Sequence, residues 1–121
     1  MRTNITGGSP FEPIIGFSRA VRVGNNVHLA GTGPVGADNE DAAAQTRRIF
    51  AIAEKALGEA GASFEDVVRT RVYLRDAGQW EAVARAHGRY FGSTRPVNTM
   101  LQIARLIGDY EVEIEAEAVV G

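Results

Sequence analysis

The chain has 121 residues, one domain's length and enough to bury a core without covalent staples. It contains no cysteine, which excludes disulfides, thiolate metal sites and a cysteine nucleophile. Its 13 basic and 15 acidic side chains leave a net charge of -2, with no general attraction to phosphate backbones or anionic lipid. No secretory pattern and no run of about 18 apolar residues is found. A cytoplasmic protein is therefore expected, with small molecules or copies of itself as partners and neither nucleic acid nor membrane.

Met1 to Glu12 is polar and rich in Gly, Ser and Pro, and is expected to be an irregular lead-in. Arg19 to Val23 and Val27 to Ala30 are β-rich runs around Gly24-Asn25-Asn26, a turn cluster that suits an antiparallel hairpin. Gly31 to Asn39 reads as loop, with Asp38 or Asp41 as helix N-cap. From Ala42 to Ala60 the apolar positions Ile49, Ile52, Ala53, Ala56, Leu57 and Ala60 recur every three or four residues, the period of an amphipathic helix stopped by Gly61. Ser63 and Asp66 form a capping pattern for one turn. In Val67 to Leu74, Val68, Thr70, Val72 and Leu74 alternate with Arg69, Arg71 and Tyr73, the signature of a strand whose second face is basic.

A second helix is expected over Gln79 to Phe91, with Trp80, Val83, Ala84, His87 and Tyr90 or Phe91 on one stripe. Pro96 favours extended backbone at Arg95. Thr99 to Ala104 and Glu111 to Val119 supply the last two strands. The order ββαβαββ is an α+β domain spanning residues 1–121, with two helices on one face of a mixed sheet of four to six strands. One copy cannot cover both faces, so self-association is expected.

The last strand places Glu111, Glu113, Glu115 and Glu117 on one side. These glutamates either face solvent or pair with Arg69 and Arg71 of a neighbouring strand; a partly buried one could instead shuttle a proton. His28 sits in the second strand with no triad spacing and no second metal ligand. His87 is either a helix–sheet contact or a ligand or base. No metal site and no cofactor is expected.

Ile15-Gly16-Phe17-Ser18-Arg19-Ala20, Ala30-Gly31-Thr32-Gly33-Pro34, Asp66 to Leu74, Arg95-Pro96-Val97-Asn98-Thr99-Met100 and Val112 to Ala118 together resemble the RidA/YjgF family, which also carries the name endoribonuclease L-PSP. The resemblance covers nearly the whole chain. It implies a chorismate mutase-like fold and a homotrimer with ligand clefts between subunits. It also implies that Glu113 is the acid that positions a water or shuttles a proton, and that a backbone N–H near Gly31 binds a ligand oxygen.

This chain departs from the family's deaminases at one pivotal position. They carry an arginine in a Pro-x-Arg pattern that holds the substrate carboxylate as a bidentate pair; here that position is Asn98. Losing such a pair costs about 2 to 4 kcal/mol, or about 30-fold to 1000-fold. Arg71 and Arg19 are the candidate replacement cations, since the deaminases usually have threonine and glutamine there. Phe17 stands where the family often has tyrosine, and could wall a pocket but has no hydroxyl. His87 replaces a common tyrosine and Ala84 a common asparagine. Thr32 and Thr99 could add hydroxyl contacts.

The resemblance implies enamine/imine deaminase-like hydrolysis or tautomerisation of a small reactive metabolite, a carboxylate or carbonyl compound, with an altered substrate. A non-catalytic small-molecule-binding or scaffolding homotrimer is the alternative. An endoribonuclease fits less well, because the net charge supplies no phosphate track.

Overall fold

A computed structural model describes all residues 1–121. The elements in chain order are β1 (Arg2–Ile5), α1 (Phe11–Ile15), β2 (Ala20–Val23), β3 (Asn26–Thr32), α2 (Ala42–Glu59), β4 (Val67–Leu74), α3 (Trp80–Phe91), β5 (Val97–Gln102) and β6 (Val112–Val119). The strands form one six-stranded sheet in the order β1-β2-β3-β6-β4-β5. All neighbours are antiparallel except β4 and β5, which run parallel and are joined through α3. No helix is long and apolar enough to cross a membrane.

Alternation along β4 and β6 sends Thr70, Val72, Leu74, Val112, Ile114, Ala116 and Ala118 to one face, where they are buried. Ile49, Phe50, Ala53 and Leu57 of α2 and Val83 and Phe91 of α3 close that face into the core. Phe50 stands among Phe64, His87, Tyr90 and Phe91 with ring centroids 4.6 to 5.8 Å away, joining both helices through edge-on and tilted contacts. The opposite face carries Arg69, Arg71 and Tyr73 aligned with Glu117, Glu115 and Glu113. Arg71 Nη1 lies 3.1 Å from Glu117 and 3.8 Å from Glu115, so the basic and acidic rows do pair.

Several expectations are corrected. The N-terminal segment is not irregular: β1 pairs with β2 and buries Ile5, and α1 follows. An edge strand held by backbone pairing needs little side-chain signal, and the polar Arg2-Thr3-Asn4 supplies none. The observed order is accordingly βαββαβαββ. Asp41, not Asp38, caps α2 by accepting from Ala44 N–H. Trp80 opens α3 but is 55% exposed, while Ala86 takes a buried place on the stripe. The fifth strand starts two residues earlier than expected. Glu111 precedes β6, its carboxylate paired with Arg75 and its N–H given to Gln45 Oε1.

Arg95 is not extended but left-handed, at φ 54°. Its N–H donates to Phe91 O at 2.8 Å and its Nε to Gly92 O at 3.1 Å. These bonds satisfy carbonyls at the end of α3, and that closure overrides the preference imposed by Pro96.

Candidate functional site

Glu113 lies on the charged face of β6, beside the irregularity in β3 between Leu29 and Thr32. The displaced backbone brings Gly31 so close that a β-carbon there would stand 2.5 Å from Glu113 Oε2. Only glycine leaves the carboxylate its place. Glu113 is half-buried, and its Oε1 accepts from the Tyr110 hydroxyl at 3.0 Å.

Arg19, just before β2, reaches the same corner and is only 8% exposed. Its Nη1 donates to Gly31 O at 2.7 Å and to Thr32 Oγ1 at 3.1 Å. Its guanidinium carbon stands 5.2 Å from the centre of the Phe17 ring, a cation–π contact. No carboxylate lies within ion-pair distance of it, and Nε and Nη2 have no hydrogen-bond partner in the chain. Burial pulls the guanidinium below the ordinary arginine value, opposed by the charges of Glu12 and Glu113. A buried cation without a paired carboxylate suits an incoming anion. A groove of about 580 Å³ between Thr6–Gly8 and Arg48, Lys55 and Glu59 of α2 opens beside Arg19.

Glu12 builds the floor under Arg19. Its carboxylate accepts from Thr6 Oγ1, Gly7 N–H and Ser9 N–H at 2.8 to 3.0 Å, folding the lead-in into a tight loop. Burial alone would raise its pKa, but the three hydrogen bonds outweigh that and hold it below the usual carboxylate value.

Asn98, Thr70 and His87 form a separate cluster on the helix-covered face. Asn98 Nδ2 donates to Thr70 Oγ1 at 3.0 Å, and Thr70 Oγ1 is 2.8 Å from His87 Nε2. The Thr70 hydroxyl, with two lone pairs and one proton, can donate to Nε2 or accept from it according to the imidazole tautomer. Burial lowers the His87 pKa and so favours the neutral imidazole. His87 is thus a helix–sheet contact. Within one chain Asn98 and Glu113 lie on opposite faces of the sheet.

Of the other sequence-predicted residues, Arg71 is engaged by Glu115 and Glu117. Thr32 is buried and donates to Ala30 O, Thr99 is exposed on β5, and His28 is exposed opposite Glu117. Gly31, Glu113, Arg19, Phe17 and Thr32 therefore share one corner, whereas Asn98 and His87 share another. Tyr110 and Glu12 were missed by sequence reasoning. A tyrosine in a Gly-Asp-Tyr loop has no periodicity to announce it, and Glu12 stands in a segment that reads as irregular.

Comparison with known proteins bears on this arrangement. The family model described as endoribonuclease L-PSP matches residues 8–120. The crystal structure of Rv2704 from Mycobacterium tuberculosis, a member of the YjgF/YER057c/UK114 family, superimposes with a TM-score of 0.93 at 47% identity, over 99% of this chain and 100% of that one. An uncharacterised protein of Streptomyces coelicolor is 40% identical over 93% of this chain and 89% of its own. The 3-aminoacrylate deaminase RutC of Acinetobacter baylyi is 30% identical over 92% of this chain and 91% of its own.

Proposed function

The chain belongs to the RidA/YjgF (endoribonuclease L-PSP) family, and from that premise we propose that it hydrolyses or tautomerises a small enamine or imine carrying an acidic group, in clefts between the subunits of a homotrimer. The observation that carries this reading is the corner where the half-buried Glu113 carboxylate, the Gly31 backbone and the buried Arg19 guanidinium converge. The similarity to a 3-aminoacrylate deaminase supports the reaction class.

In this reading Arg19 takes the role that Asn98 cannot fill, because its Nε and Nη2 are uncommitted whereas the Asn98 amide is held by Thr70. Arg71 is set aside as a cation for the ligand, being bound to Glu115 and Glu117. Shifting a proton from the enamine nitrogen to its carbon gives the imine. Glu113 then accepts a proton from water as the water oxygen bonds to the imine carbon and the C=N electrons pass to nitrogen, and hands that proton to the nitrogen. It next takes the hydroxyl proton of the resulting carbinolamine and delivers it to the nitrogen as the C–N bond breaks, so that a carbonyl compound and ammonia leave. No cofactor enters these steps.

The test is ammonia release from freshly generated 2-aminoacrylate and 3-aminoacrylate. Acceleration over buffer that drops at least about 100-fold in Glu113→Gln, and falls with a raised KM in Arg19→Met, is the expected result. No acceleration by the wild-type chain, with activity appearing in Asn98→Arg, would sink native deamination of these compounds and favour the alternative of a binding trimer.

A further inference from the structure

Tyr110 is one of three tyrosines in the chain, and the only one whose hydroxyl reaches Glu113. Its one proton has two acceptors within reach, Glu113 Oε1 at 3.0 Å and Ile107 O at 2.8 Å, and the charge of the carboxylate makes Glu113 the stronger of the two. The ring sits in a slot made by two glycines from different segments. A β-carbon at Gly33 would stand 2.9 Å from its Cζ, and one at Gly108, where φ is +129°, would overlap its Cε1. Side chains at either position would expel the ring. The slot and the carboxylate together leave the phenol one orientation.

We propose that Tyr110 is the positioning residue of this corner: it holds Glu113 by Oε1 and leaves Oε2, beside Gly31, as the oxygen that meets water or ligand. The assignment rests on the reading of Glu113 as the proton-transfer group, and it supplies a hydroxyl in a site where Phe17 has none. The charged and titratable groups around Glu113 are consistent with a phenol that keeps its proton. Arg19 approaches from the segment before β2, Tyr73 from β4, and Asp38 acts on Tyr110 from the loop before α2. Burial, then the Glu113 charge and its hydrogen bond, hold the Tyr110 hydroxyl well above the ordinary tyrosine range. A donor that stays protonated can fix a carboxylate without competing for the transferred proton.

Two measurements decide it. Tyr110→Phe should lower kcat for enamine deamination by about 10- to 100-fold, the worth of a hydrogen bond to a charged group, with KM within about threefold. If that variant fails to fold, Gly33→Ala displaces the ring and should give the same split. A kcat equal to wild type in a folded variant that has lost the hydroxyl contact overturns the proposal. Independently of turnover, carbon-13 NMR of ring-labelled tyrosine should show Tyr110 ionising at lower pH in Glu113→Gln than in wild type. An unmoved Tyr110 titration overturns the positioning contact. A moved titration without wild-type turnover upholds the contact and removes only the deaminase reading.

Discussion

Gly31 is conspicuous for what occupies the space a side chain would need. The nearest atom to a β-carbon there is Glu113 Oε2, the end of a flexible side chain rather than backbone. Gly31→Ala should therefore fold with a stability loss of only about 1 to 2 kcal/mol, since the carboxylate can swing aside. It should nevertheless lower kcat for enamine turnover by at least about 10-fold, because Glu113 is then misplaced. Thermal unfolding together with kinetics checks both halves. An alanine variant with wild-type kcat would show that the close approach of Gly31 has no bearing on proton transfer. At this scale much was legible: family motifs marked Gly31, Glu113, Phe17 and Arg19, and the structure brings all four into one corner. Asn98 was legible as a missing arginine but not as a partner of Thr70, because its contact depends on the parallel register of β4 and β5. Tyr110 and its glycine slot join residues 33, 108 and 110, a juxtaposition that no local pattern encodes.

Among the elements, α2, β4 and β6 were found because their burial periods are strong, 3.6 for the helix and 2 for the strands, with two corrections. Val68, expected on the apolar face, is exposed and Val67 buried in its place, because the register shifts between Val67 and Arg69, and β6 begins at Val112 rather than Glu111. β1 was not found, since its only buried side chain is Ile5. The junction of α3 with β4 carries a prediction about acid. His87 packs on Phe91 at 4.7 Å between ring centroids and shares a hydrogen bond with the Thr70 hydroxyl. Its folded pKa lies below the ordinary histidine value of 6.5 because burial disfavours the imidazolium. As pH falls through about 6.5, the unfolded chain takes up this proton first, so stability present above that value is lost progressively toward the lower folded pKa. The urea midpoint should fall between about pH 7.5 and about pH 5.5, and the fall should flatten in His87→Gln, which keeps an acceptor for Thr70. Glu12, also with a lowered pKa, acts in a separate window that opens only below about 4.5, where its stabilisation is lost in turn. An identical pH slope in His87→Gln would place the acid sensitivity elsewhere.

For the whole molecule, the uncovered sheet face and several exposed apolar residues argue for association. Phe11, Ile14, Ile15, Val35 and Ile107 are each more than half exposed, a surface that in an assembly would be buried. Sedimentation of the 13.0 kDa chain should report three copies, and the enamine substrate should turn over only in that species. A monomer with full activity would contradict clefts between subunits. The expectation of self-association comes from the argument that one copy leaves a sheet face bare, and the subunit number from family resemblance alone.

The place of β6 in the sheet bears on how the fold is closed. It is the last of the six strands in the chain, yet it lies between β3 and β4, which are not hydrogen-bonded to each other. Without it, β1-β2-β3 and β4-β5 are not joined within the sheet, and each keeps an open edge. The strand that seals the sheet is also the one that carries Glu113. Closing the sheet and placing Glu113 beside Gly31 therefore depend on the same strand, so a chain that stops short of residue 112 has neither.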